Sequence, residues 1–175
     1  GGIDLADALS YLHEMSPTHL VMHRDLKPAN LGFSGKWRLV LFDFGLAKYI
    51  PRGSQDDSNG YKLTGHVGTA RYMAPEVAFN KNYDEKAEVY SYSILLWEML
   101  SLSVPFVGLD YDTYVELVYR NGLRPAINSK WPLALQELLQ SCWDYNPSNR
   151  PTMLAVLHEL HEIRSSDEVA LSATF

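Results

Sequence analysis

His23-Arg24-Asp25-Leu26-Lys27-Pro28-Ala29-Asn30 is the stretch on which the reading of this chain turns. It sets a carboxylate, an ammonium group two positions on and a side-chain amide close together. Asp43-Phe44-Gly45 follows, with Asp43 13 positions after Asn30, and Ala74-Pro75-Glu76 closes the segment 46–73. Between the first two, Trp37 to Phe42 (WRLVLF) is a short apolar run and predicts a strand. Before them, Ile3, Leu5, Ala8, Leu9 and Leu12 recur at helical spacing and predict a helix over 3–15 that Pro17 ends. After them, 51–60 (PRGSQDDSNG) reads as a polar loop. From Asp84 onward the pattern is helical. Residues 84–101 are apolar around most of the circumference, which marks a central buried helix. Two more helices are predicted over 111–121 and 133–143. A last one takes Pro151 at its first position and runs to Ile163, followed by a short polar tail that frays from Ser165. The sum is a mainly helical domain with a small β patch near the front, and the chemistry is expected around that patch.

The 175 residues suffice for one domain with a sizeable core, and 46% hydrophobic with 21% charged residues is the ordinary globular range. The net charge of −6 and the lack of a Lys/Arg cluster argue against a nucleic-acid partner. A single cysteine, Cys142, forms no intrachain disulfide, which fits a reducing, cytoplasmic setting. Residues 1–20 carry no basic segment followed by an apolar run, so no signal peptide is read. The longest apolar stretch, Ile94 to Leu109, is broken by Glu98, Ser101, Ser103, Pro105 and Gly108, and predicts a buried helix rather than a membrane segment. Cys142 is expected to be a small core hydrophobe, Trp97 and Trp143 core packing, and His158 and His161 part of a solvated face rather than metal ligands.

The three motifs, in this order and spacing, resemble the catalytic loop, the Asp-Phe-Gly loop and the Ala-Pro-Glu end of the activation segment of eukaryotic protein kinases. Arg150, in WDYNPSNRP, resembles the family's late arginine motif, and the resemblance covers 3–163. At about 5% per residue, coincidence of the whole set is on the order of one in a billion. The resemblance implies a protein-kinase-like fold, and of it the C-terminal lobe (1–164) with the short polar tail 165–175. Of the two lobes, the N-terminal one is expected to be absent: no glycine-rich loop or strand lysine precedes Lys27, the first lysine of the chain. These residues alone are therefore expected to transfer no phosphate from ATP. Lys27 and Gly68-Thr69-Ala70-Arg71-Tyr72-Met73 resemble serine/threonine kinases, while SILLWEML and CWDYNPSNRPTM resemble the tyrosine-kinase-like group. A non-catalytic kinase-like scaffold is the alternative, weakened because Asp25, Lys27, Asn30 and Asp43 are all intact.

The resemblance also implies roles. Asp25 orients the acceptor hydroxyl of a protein substrate and takes its proton. Lys27 places a cation at the transferring phosphate of ATP. Asn30 and Asp43 supply oxygens to Mg2+, which favours few protein ligands plus phosphates. Gly45 lets the backbone turn. Thr69 bonds the catalytic aspartate and lysine, and Glu76 pairs with Arg150 in a buried salt bridge. Arg24 and Lys48 are expected to bind a phosphate on the segment 46–73, at Thr64 with Ser54 and Ser58 as alternatives, since little else there would order the loop. The bland reading pairs those cations with Asp56 or Asp57, or leaves them facing water. Two departures stand out. Glu88 occupies the place of a family aspartate that binds the catalytic loop, and its extra methylene is expected to hold that loop less tightly. Gly32, where a bulky apolar residue is usual, is expected to thin the nucleotide floor.

Overall fold

The structure, a computed structural model, describes residues 1–53, 60–65 and 68–172, the last six by backbone alone. The phosphosite alternatives Ser54 and Ser58, and Asp56 and Asp57, lie outside the described residues.

Helix α3 (Lys86–Ser101) is the axis of the fold. Val89, Tyr92, Ile94 and Leu95 lie at 0–1% exposure, as expected of a helix apolar on all sides. It ends at Leu102, which takes the left-handed conformation and returns its amide to the Glu98 carbonyl. Helices α1 (Gly2–Glu14), α5 (Leu133–Cys142) and α6 (Met153–Ser172) pack around it and on one another. Helix α1 buries Leu5, Leu9 and His13, one per turn. Its last carbonyls are capped from a distance, because the Arg52 guanidinium donates to the His13 and Ser16 carbonyls. Two shorter helices, α2 (Pro75–Ala78) and α4 (Tyr111–Tyr114), lie beyond, and α4 runs on into a π-helical turn over Val115–Arg120.

The β patch is two antiparallel pairs. Strand β1 (His19–Met22) pairs with β4 (Lys48–Pro51), with Leu20 opposite Ile50. Strand β2 (Leu31–Phe33) pairs with β3 (Leu39–Leu41), with Gly32 opposite Val40. The expected strand 37–42 is thus shorter, because Trp37 sits in the hairpin turn at φ 59 and is 83% exposed. Pro151 lies outside the last helix. The Thr152 hydroxyl caps that helix by accepting from the Ala155 amide at 3.2 Å. Helix α6 continues past Ser165 to Ser172, with the Ser165 and Ser166 hydroxyls donating to the carbonyls of His161 and Glu162. Polar composition had suggested fraying there, and these local bonds are compatible with helix.

Cys142 is 1% exposed, and burial pushes its thiol up to about 12, as befits a core residue. Trp143 is buried and Trp97 packs on the core edge with its indole N–H on the Ala126 carbonyl. No helix of the described residues is long and apolar enough to cross a membrane.

Candidate active site

The loop between β1 and β2 carries the quoted stretch. Its backbone leaves the β region at Arg24, a non-glycine residue held at φ 66. That conformation is fixed from below, where the Glu88 carboxylate on α3 accepts from the Arg24 amide at 2.6 Å. The second carboxylate oxygen takes His13 Nε2 at 2.7 Å, and both side chains are 3% exposed. Glu88 thus bonds the loop, and one carboxylate reaches the loop and α1 together. Glu88→Ala is expected to cost about 1–3 kcal/mol of stability, because it strands a buried amide donor. Glu88→Gln, which keeps the acceptor, is expected to retain most of it; denaturant midpoints decide.

Asp25, 8% exposed, is the centre of the site. Lys27 Nζ reaches its Oδ2 at 2.6 Å and Asn30 Nδ2 the same oxygen at 3.1 Å, while the Thr69 hydroxyl donates to Oδ1 at 3.3 Å. Burial pulls the Asp25 carboxyl upward, but the bonds from Lys27, Asn30 and Thr69 outweigh it and hold the group below the usual carboxylate range. It is ionised at neutral pH. Gly68 sits at φ 96, and a Cβ there would come within 2.7 Å of the Arg24 carbonyl, so only glycine lets the segment approach this closely.

Asp43 follows the β2–β3 pair, which is extended by Phe42 N–H donating to the Asn30 carbonyl at 3.0 Å. Asp43 is itself left-handed at φ 62, exposed, and accepts from the Gly45 amide at 3.2 Å. Sequence reasoning assigned no role to His23. Its Nε2 faces the Phe42 carbonyl at 3.0 Å and its Nδ1 faces the Asp25 amide at 3.3 Å. The neutral tautomer protonated on Nε2 satisfies both, so one ring couples the two acidic loops. Its place in the quoted motif was the available signal.

The donor chemistry fits magnesium. Asn30 spends its NH2 on Asp25, at 2.8 Å to the carbonyl as well as on the carboxylate, which turns Oδ1 away from those contacts. That oxygen and the exposed Asp43 carboxylate are of the hard kind that magnesium would take. The described residues hold no cluster of three or more His, Cys, Asp or Glu that could hold a metal, and His161 instead meets Arg164 at 3.2 Å. At Gly32 the Phe42 ring lies 2.8 Å from where a Cβ would stand, so a larger side chain there would have to displace it.

On the other side, Arg24 is occupied without phosphate. Its Nε donates to the Leu46 carbonyl at 2.7 Å and its Nη1 to the Tyr83 hydroxyl at 3.2 Å. Tyr83 passes the connection on, donating to the Thr64 carbonyl at 3.0 Å. Its backbone pairs with Tyr61, and Asn80 accepts from the Gly65 amide at 3.0 Å. Residues 60–65 are thus held by contacts that composition did not reveal. Lys48 is exposed on β4, lining a hollow with Lys62 and Thr64. At the base, Glu76 and Arg150 form the expected buried pair at 2.6 and 3.0 Å.

The family model described as the protein kinase domain matches residues 3–161. Among curated relatives, the dual specificity protein kinase shkB of Dictyostelium discoideum is 40% identical over 155 residues, covering 87% of this chain and 22% of that protein. Mitogen-activated protein kinase kinase kinase 7 of Drosophila melanogaster is 36% identical, covering 97% and 24%. The serine/threonine-protein kinase VIK of Arabidopsis thaliana is 38% identical, covering 94% and 37%. The chain thus spans between 22% and 37% of the length of these three relatives.

Proposed function

This chain belongs to the protein kinase domain family, and from that premise we propose that the protein carrying it transfers the γ-phosphoryl group of ATP to serine and threonine hydroxyls of proteins. The observation that carries this reading is the Asp25 carboxylate bonded at once by Lys27, Asn30 and Thr69. In this reading Asp25 orients the acceptor hydroxyl and receives its proton as the bond to phosphorus forms. Lys27 neutralises charge on the transferring group, and Thr69 fixes the carboxylate from the acceptor side. Asn30 and Asp43 would hold the magnesium ion, which supplies charge neutralisation on the phosphates when bound. The reading assigns these residues to the C-terminal lobe of a tyrosine-kinase-like enzyme, with the groups covering the nucleotide supplied from outside the 175 residues. A cytoplasmic location belongs to the same proposal.

The test is phosphorylation of a peptide library by the full-length protein with ATP and Mg2+. Phosphoserine and phosphothreonine are expected. Predominant phosphotyrosine would overturn the acceptor class, and no transfer would overturn the enzyme.

The regulatory part concerns Thr64. Its side chain is exposed, its carbonyl is joined to Arg24 through Tyr83, and it lines the same hollow as Lys48 and Lys62. A phosphate there would add charge-assisted bonds worth about 1.5 kcal/mol or more each. Thr64→Ala is therefore expected to lower kcat/KM by about tenfold, with phosphate detected at Thr64 in the active form. Full activity in that variant, or an active enzyme without phosphate in 46–73, would reject the switch.

A further inference from the structure

The turn that follows α4 is π-helical over Val115–Arg120, closed by Asn121 N–H on the Glu116 carbonyl at 3.0 Å. Such insertions are rare and frequently mark functional positions. Its consequence here is angular. At 3.6 residues per turn, two residues five apart point about 140° away from each other. The wider turn brings Tyr114 and Tyr119 onto one side instead. Their rings meet edge to face at 5.1 Å and 88°. Both hydroxyls donate to the Ala70 carbonyl, from 3.2 and 2.7 Å, and Tyr114 also reaches the Arg71 carbonyl at 3.0 Å.

Ala70 follows Thr69, whose hydroxyl lies on Asp25 Oδ1. The next residues are tied to the helical frame as well: Arg71 donates to the Pro105 carbonyl, and the Tyr72 hydroxyl to Glu98 at 2.8 Å. Three residues in a row are therefore fixed directly after the one that touches the catalytic carboxylate. Tyr114 and Tyr119 are 7% and 2% exposed. Burial pushes both hydroxyls well above the usual tyrosine range, so both are protonated donors at neutral pH.

We propose that Tyr114 and Tyr119 are positioning residues for the acceptor: by gripping the Ala70 carbonyl they hold Thr69 on Asp25 and fix the segment 69–72 against which the incoming hydroxyl is presented. The inference rests on the kinase reading above. It goes further in dividing the site into an acceptor side governed by the π turn and a nucleotide side that is not.

Tyr114→Phe and Tyr119→Phe keep the rings and remove the hydroxyls. In the full-length protein each single variant is expected to lose about threefold in kcat/KM for the peptide acceptor, because the other hydroxyl still holds Ala70. The double variant is expected to lose about thirtyfold. The KM for ATP is expected to stay unchanged, which a general loss of structure would not allow. A double variant within twofold of wild type, or a KM for ATP that rises in step with that of the acceptor, would overturn the proposal. If the wild-type protein transfers no phosphate, the kinase reading fails, and amide exchange decides the positioning claim by itself. The Tyr72 and Met73 amides, which close the turn onto Thr69 and Ala70, are expected to exchange at least tenfold faster in the double variant while α3 is unchanged. Unaltered exchange there would reject the grip.

Discussion

Asp25→Asn in the full-length protein is expected to lower phosphoryl transfer by about 10²–10⁴-fold, the usual contribution of a positioned general base, with the far-ultraviolet spectrum unchanged. The carboxylate receives Lys27 and Asn30 on one oxygen and Thr69 on the other. An amide offers one acceptor oxygen in place of two and turns its own NH2 toward one set of those donors. Lys27 Nζ loses its anion at 2.6 Å or Thr69 loses its acceptor, and the acceptor hydroxyl loses its orienting group in either case. The depressed Asp25 pKa fixes the pH behaviour. A carboxyl whose folded-state pKa lies below the unfolded value contributes stability above that value, about 3.9, and loses it as pH falls through the folded pKa. Any acid limb of the rate profile above about pH 5 must then come from another group. Turnover of Asp25→Asn within tenfold of wild type would remove Asp25 from the mechanism.

The residues gathered at Asp25 were legible because short-range spacing encodes them: Asp25, Lys27 and Asn30 share one loop, and Asp43 follows a hairpin of calculable length. The long helices were legible for a related reason. A one-sided or all-round apolar pattern repeats several times within them, and their bounds came within two residues of those observed at α1, α3 and α5. Strands β1, β2 and β4 were not, since three or four residues are too few for alternation to stand out, and β1 and β4 each depend on the other, far along the chain, to complete a ladder. The grip of Tyr83 on Arg24 and Thr64 was hidden in the same way, as was the π turn. No periodic signal distinguishes a five-residue return from a four-residue one, and the tyrosines reveal their role only once Ala70 lies across from them.

The second large effect is structural and lies far along the chain from Asp25. Arg150 is 1% exposed and is bonded on every side. Two go to the Glu76 carboxylate at 2.6 and 3.0 Å, one to the Asp144 carbonyl at 2.9 Å and one to the Lys86 carbonyl at 3.0 Å, and its own carbonyl receives Lys86 Nζ at 2.5 Å. Its guanidinium also lies 5.2 Å from the centre of the Tyr90 ring. One side chain thereby joins α2, α3 and the approach to α6, and α2 is where the segment 46–73 ends. Arg150→Met keeps much of the volume but leaves Glu76 buried without its cation. Breaking a buried pair from one side costs about 3–5 kcal/mol. At roughly 2–4 °C per kcal/mol for a domain of this size, the melting temperature is expected to fall by roughly 6–20 °C. Adding Glu76→Gln removes the stranded charge, and the double variant is expected to recover part of the loss. That recovery separates a charge left unpaired from a cavity left unfilled, because a packing defect at position 150 would persist whatever stands at 76. A melting temperature for Arg150→Met within 2 °C of wild type would show that Glu76 is solvated or neutralised where the fold places it in the core.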